Sequence, residues 1–112
     1  MAFTTSTVLT QTKASQQFQD SFSEIWQVTA TVNPASVAAG AEDTGTLTVT
    51  DVALGDMVLG FAPGVDLTVD AGVMVYVSAA NTITISLTNR HASNALDLGS
   101  STWKFLIGRP KF

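Results

Sequence analysis

Most of the chain alternates apolar with polar residues, which is the pattern of a half-buried β-strand. In IWQVTATVN (residues 25–33), polar Gln and Thr alternate with Trp26, Val28, Ala30 and Val32. Side chains in a strand have a period of two, so these four point to the same face. We expect that face to pack against a hydrophobic core.

Further runs repeat this alternation between turn residues. They are TGTLTVTD (44–51), DMVLGF (56–61), VDLTVD (65–70), VMVYVS (73–78), TITISLTN (82–89) and STWKFLIG (101–108). Pro and Gly residues separate several of them, and short strands at a spacing of roughly 8–12 residues are typical of sandwiches and small barrels. The sequence therefore predicts an all-β fold, an antiparallel β-sandwich or small jelly-roll-like barrel of about six to eight strands, over residues 25–108.

The runs 73–78 and 82–89 predict a hairpin closed by Ala79, Ala80 and Asn81. Alternation assigns to the core face Val73, Val75, Val77, Ile83, Ile85 and Leu87. The opposite face then carries Met74 and Tyr76 among the hydroxyls of Thr82, Thr84 and Ser86. Met and Tyr are large, adaptable contact residues, so we expect this face to meet another subunit.

Residues 1–24 differ from the rest, being rich in Thr, Ser and Gln and free of Gly and Pro. Helical spacing relates Phe18, Phe22, Ile25 and Trp26, although the intervening residues are mediocre helix formers. The segment predicts an N-terminal arm, extended or forming a short helix near 15–24, and residues 109–112 predict a basic, aromatic C-terminal tail.

Aromatic residues near the chain ends lie outside the predicted strands. They are Phe3, Phe18, Phe22 and Phe112. Such residues either fold back over an open end of the sandwich or insert into a neighbour, since aromatics are enriched in interface cores. Arg109 gives the tail a charge that suits an acidic groove on a partner, and the alternative is a disordered tail.

Composition narrows the range of partners. Only 12% of the 112 residues are charged, against a typical ~25%, and Thr and Ser fill the polar positions. The five basic residues are scattered and the net charge is −4, so we predict no direct binding of nucleic acid. No apolar run approaches the ~20 residues of a membrane span, so we predict no membrane partner. Cysteine is absent, which excludes disulfides and thiolate metal sites.

The polar residues form no recognisable catalytic or metal-binding motif. His91 is the single histidine, and no serine lies in a G-x-S-x-G elbow. The glycines form no nucleotide-binding fingerprint, and the aspartates form no calcium loop. We therefore predict a non-enzyme without catalytic, metal or cofactor residues, in which Arg90 and His91 are loop contacts.

Three segments resemble small virion proteins of tailed bacteriophages. They are VNPASVAAGAEDTGTLTVTDVALGDMVLGFAP, VYVSAANTITISLTN and ALDLGSSTWKFLIGR, and the similarity spans about residues 28–109. The motifs N-P-A-S-x-A-A-G, V-x-L-G-D and Y-V-S-A-A-N-T recur there in the same order. Proteins of this type resemble the capsid decoration, or cement, proteins of phages including cyanophages.

This resemblance implies a virion structural protein on the outer capsid surface, assembled in the cytoplasm of a bacterial host. Its implied partners are the major capsid protein and itself, as a homotrimer that stabilises contacts between capsid subunits. The alternative is a tail, fibre or baseplate module that binds a host surface glycan or protein, because one fold serves both roles. The predicted partner interface comprises Phe3, Phe18, Phe22, Met74, Tyr76, Arg90, His91, Arg109 and Phe112.

Overall fold

The computed structural model of the chain describes residues 3–14 and 21–111, and all regular elements within this part are β-strands. In chain order, the strands are β1 (Thr4–Thr5), β2 (Thr10–Ala14), β3 (Phe22–Asn33), β4 (Glu42–Thr48), β5 (Met57–Ala62), β6 (Ala71–Ala79), β7 (Thr82–Asn89) and β8 (Ser101–Pro110).

The strands form two antiparallel sheets that pack face to face. In the five-stranded sheet, β1 and β2 follow one another along one edge of β3, β8 pairs with the other edge of β3, and β5 pairs with β8. The three-stranded sheet has the order β4-β7-β6. This arrangement confirms the predicted all-β, antiparallel sandwich.

The core lies between the inward faces of the two sheets, where alternation assigned it. On β3, β7 and β8 the fully buried apolar side chains are Trp26, Val28, Ala30, Val32, Ile83, Ile85, Leu87, Trp103, Phe105 and Ile107. Phe61 of β5 stacks on Trp103 with ring centroids 6.0 Å apart. Burying one large apolar side chain contributes roughly 1.5–3 kcal/mol, so these central strands contribute a large share of the hydrophobic stabilisation.

The β6–β7 hairpin turns through Ala80 and Asn81, and its turn is fixed to the loop after β4. Asn81 has a φ of 59°, a left-handed conformation that Asn tolerates better than most residues. Its N–H donates to the carbonyl of Val52 at 2.7 Å, and its side-chain oxygen accepts from the N–H of Asp51 at 2.8 Å. These bonds hold one end of the three-stranded sheet.

Within the described part of the predicted arm, residues 4–5, 10–14 and 22–24 belong to strands of the five-stranded sheet. β1 and β2 pair with β3, and β3 begins at Phe22, three residues before the predicted start. The described residues of this segment take the extended alternative, since the free edge of β3 offers backbone partners. The short helix near 15–24 was the other alternative. Residues 22–24 of that range belong to β3, and residues 15–20 lie outside the described residues.

The prediction of a strand over 65–70 is wrong. Asp66 accepts a hydrogen bond from the N–H of Thr68 at 2.9 Å, and Thr68 has a φ of 65°. Asp side chains make such local turn bonds readily, and the resulting turn leaves Val69 93% exposed. At the other end of the chain, β8 continues to Pro110, so the segment beyond the sheet is shorter than the predicted tail 109–112.

The aromatic ring of Phe3 closes one side of the core. It packs against the core cluster and lies so close to Gly45 that a Cβ there would overlap the ring. This is the first of the two roles considered for Phe3, a fold-back over the sandwich. Glycine at position 45 makes the close approach possible.

Replacing Phe3 with Ala should lower the free energy of unfolding by about 2–3 kcal/mol, because a half-buried ring leaves a cavity at the core. Leu9→Ala is the matched control, since Leu9 is 55% exposed on the same segment and its loss should cost less than about 0.5 kcal/mol. Urea denaturation monitored by circular dichroism measures both. Equal effects of the two substitutions would contradict the role of Phe3 in the core.

Candidate contact surfaces

Arg109 is held within the molecule by a bidentate ion pair. Its Nε and Nη2 atoms each lie 3.0 Å from a carboxylate oxygen of Asp56, whose side chain is 4% exposed. Nη2 also donates to the carbonyl of Asp51 at 2.6 Å, and Nη1 lies 3.3 Å from the Glu24 carboxylate. The hydrogen bonds with Asp56 raise the pKa of Arg109 against the opposing effect of burial, and the nearby carboxylates raise it further. The guanidinium therefore joins β3, β8 and the loop before β5.

The ring of Trp26 lies beneath this ion pair. The Arg109 guanidinium is 4.8 Å from the ring centroid, and the Lys13 ammonium of β2 is 4.9 Å from it. Lys13 also pairs with Asp51 at 3.1 Å. The Trp26 indole N–H is buried and has no hydrogen-bond partner among the described residues, so packing and cation–π attraction hold the ring.

The His91 side chain organises its own loop. Its Nδ1 accepts hydrogen bonds from the N–H groups of Ser93 at 3.1 Å and Asn94 at 2.9 Å. Beside it, the buried Asn89 amide donates to the carbonyls of Val37 and Asn94. These bonds give the loop a defined shape, and the role of His91 as a loop contact stays a prediction.

Arg90 follows β7 and reaches back to the start of β6. Its guanidinium lies against Gly72 and donates to the carbonyl of Ala71 at 3.2 Å. The residue itself is exposed. Arg90 thus links the end of β7 to the start of β6, and it is also one of the few cations accessible to a partner.

The four aromatic residues near the chain ends have different places. Phe3 packs on the core, and the ring of Phe22 lies against Gly108 on the outer side of the five-stranded sheet. Both are half-buried. Phe18 and Phe112 lie outside the described residues.

The outer face of the three-stranded sheet carries the predicted pair of large residues. Met74 is 63% exposed and Tyr76 is 45% exposed, both on β6. Register places around them the hydroxyl residues Thr44, Thr46, Thr48, Thr82, Thr84, Ser86 and Thr88. The described charged residues near this face are Glu42 and Arg90, both at one end of it. The face is therefore uncharged over most of its area, with two adaptable side chains near one edge.

The outer face of the five-stranded sheet carries a second surface, which sequence reasoning missed. We call Met57, Leu59 and Leu106 the apolar patch. They are 49%, 38% and 37% exposed, and they lie over the buried Ile25 and beside Phe22. A shallow groove lined by Gln27, Gly60, Lys104 and Leu106 continues from the patch.

A β-bulge in β5 creates this patch. The register shifts between Val58 and Gly60, so that Val58 and Phe61 both point inward and Leu59 is turned outward. Strict alternation of DMVLGF would place Leu59 on the same face as Phe61. The Gly at position 60 is the one local indication of a bulge, since Gly is common where a strand departs from regular pairing.

Within residues 3–14 and 21–111, no three acidic or His side chains come close enough to one another to hold a metal ion. A search of the same residues finds no helix capable of crossing a membrane. Comparison with protein-family models, with curated proteins and with solved structures finds no match for the chain. Among the described residues, exposed large apolar side chains cluster on the outer faces of the two sheets.

Replacing Asp56 with Ala should lower the free energy of unfolding by about 1–3 kcal/mol, because Arg109 loses both charge-assisted bonds and the Ala53 N–H loses the carboxylate oxygen that accepts its hydrogen bond. The matched control is Lys104→Ala, which removes an exposed charge that forms no ion pair with the described residues and should cost less than about 0.5 kcal/mol. Urea denaturation compares the two. If D56A unfolds at the wild-type urea concentration, the Arg109 pair does not support the fold.

Proposed function

We propose that the chain is a virion structural protein that decorates the outer surface of a bacteriophage head and stabilises contacts between major capsid subunits. It acts by contact and not by catalysis. The proposal takes its class from the resemblance of residues 28–109 to decoration proteins, and takes its contact surface from the geometry.

The observation that carries the contact surface is the apolar patch. Met57, Leu59 and Leu106 expose neighbouring apolar area on one sheet face, and only an uncharged amide and one lysine stand beside them in the groove. Desolvating such a surface costs little, because few charges lose their water. Scattered apolar side chains are ordinary on a protein surface, whereas a clustered group beside a groove favours a binding role.

The dimensions of the module also suit a clamp between neighbours. It measures 47 × 23 × 23 Å, so it is about twice as long as it is wide. A long body presents its two sheet faces to opposite sides, and the second face carries Met74 and Tyr76. A module held on one face by the shell can thus reach another molecule with the other face.

Individually weak contacts suffice for this role. Once one contact has formed, a second contact on the same shell forms at a high effective concentration. A protein that binds the assembled shell and not its dissociated subunits stabilises the shell by mass action. The proposed effect is therefore greater resistance of the head to heat, without any chemical step.

The test mixes purified protein with undecorated, expanded heads of the phage that encodes it and counts the bound copies. We expect saturable binding and a higher temperature of head disruption. Leu106→Glu should weaken binding at least about tenfold, since a buried, unpaired carboxylate costs more than about 1.4 kcal/mol. Leu9→Glu is the matched control, as it puts the same charge on an exposed leucine away from the patch and should bind like the wild type.

Two results would contradict the proposal. If the protein binds host cells or glycans and not heads, it is a tail, fibre or baseplate module. If heads bind L106E and L9E equally well, the apolar patch is not the contact surface.

A further inference from the structure

Strand β6 is a long sheet edge without the usual protection. Among the described residues it pairs with β7 on one side, and no strand pairs with its other side. Its nine residues, AGVMVYVSA, include no charge and no proline. Natural edge strands usually carry Lys, Pro or a bulge that opposes pairing with another chain, and the one bulge of β6, between Val77 and Ala79, lies at its end.

The core is open along this edge. Val73 and Val75 point inward from β6 but are only half-buried, whereas Leu87 and Ile85 opposite them on β7 are fully buried. Phe61 of the neighbouring β5 is also only half-buried. β5 lies beside β6 without pairing with it. A further strand beside β6 would therefore cover apolar side chains as well as satisfy backbone groups.

The opposite edge of the same sheet, formed by β4, is covered by the chain itself. The N-terminal segment lies over β4 and the residues after it. The Thr5 hydroxyl donates to the carbonyl of Thr46 at 2.9 Å, and the Gln11 amide donates to the carbonyl of Thr50 at 2.9 Å. Thus one edge of the three-stranded sheet is occupied by side chains of the same chain, and β6 is the edge left accessible.

We propose that β6 pairs antiparallel with β6 of a second copy of this chain, joining two three-stranded sheets into one six-stranded sheet. Such a contact is isologous, with a twofold axis through the pair. The register that pairs all nine residues centres the axis on Val75. In that register Met74 lies opposite Tyr76 of the partner subunit, and Tyr76 lies opposite the partner subunit's Met74.

This register is favourable for its side chains. A Met sulfur against an aromatic ring is an attractive contact, and the two symmetric pairs place one on each side of the axis. Inward, Val73 lies opposite the partner subunit's Val77, which extends the core across the junction. No two charged residues face each other along the nine pairs, because β6 has none.

The distribution of charge selects the antiparallel orientation. Five carboxylates and a single described cation, Arg90, lie at the end of the sandwich where β6 begins and β7 ends, so this end is acidic. The carboxylates are Glu42, Asp43, Asp66, Asp70 and Asp97. At the other end, Lys13 and Arg109 neutralise most of the acidic side chains. Antiparallel pairing puts the two acidic ends at opposite ends of the dimer, whereas parallel pairing would bring them together.

This inference does not rest on the proposed function. It also differs from the homotrimer that the resemblance implies, since three subunits in a ring make heterologous contacts and cannot pair β6 with itself. The mass in solution distinguishes the two. We expect a species of twice the 11.7 kDa chain mass over a concentration series.

The test compares two double variants that carry charge at the same exposed positions, 74 and 76. In M74K/Y76K, each Lys faces a Lys of the partner, and we expect the monomer mass by sedimentation velocity. In M74K/Y76E, each Lys faces a Glu of the partner, and we expect the dimer mass. Thermal unfolding establishes that both variants are folded. The β6 amides that point away from β7 should exchange slowly only in the dimeric forms.

Cross-linking tests the register independently, because the chain has no cysteine. A mixture of M74C and Y76C should form a disulfide between the two variants, while neither alone should link, since like positions are offset along the strands. A monomeric wild type, a trimeric wild type, equal masses of the two double variants, or links within each single variant would each overturn the proposal.

Discussion

The pairing of β3 with β8 is the interaction on which the rest of the structure depends. Their ladder runs from the Phe22–Pro110 pair to the Val32–Ser101 pair, and it places Trp26, Trp103 and Phe105 on one inward face. β1 and β2 attach to the far side of β3, and β5 attaches to the far side of β8. The same ladder brings Arg109 beside Glu24 and above Trp26. The pairing of β3 with β8 thus fixes the positions of the core residues and of the residues on the outer face of the five-stranded sheet.

Strands in the middle of a sheet were easier to predict from the sequence than strands at its edges. Alternation identified the inward residues of β3, β7 and β8, because central strands have neighbours on both sides and one face buried. It failed at 65–70, where local Asp bonds favour a turn, and at Leu59, where a bulge reverses the face. The pairing of β1 and β2 was also missed, since edge strands are selected by a free neighbouring edge and not by their own pattern. Among the candidate surfaces, alternation correctly placed Met74 and Tyr76 on an outer sheet face. The ion pairs of Arg109 with Asp56 and Glu24 could not be predicted in this way, because they join residues far apart in sequence and produce no local pattern.

The replacement of charged residues by hydroxyls links the composition to the proposed role. Thr in β-strands packs its methyl group and keeps a hydroxyl that hydrogen-bonds to water or to a partner. A surface of this kind stays hydrated when free and loses little on contact, unlike a surface of lysines and glutamates. On the three-stranded sheet this composition surrounds Met74 and Tyr76, so the same residues that form the strands also leave the face available for contact.

The direction of the outer strands has a mechanical consequence. Phe3 lies near the end of the sandwich marked by Asn33, and Lys111 lies at the opposite end, where its N–H donates to the carbonyl of Ser21. Tension applied between these two points therefore acts along β2, β3 and β8. Their hydrogen bonds run across that direction, so they are loaded in shear and must give way together, whereas a peeled sheet loses them one at a time. Force along the described strands therefore meets more resistance than force that peels one strand from its neighbour.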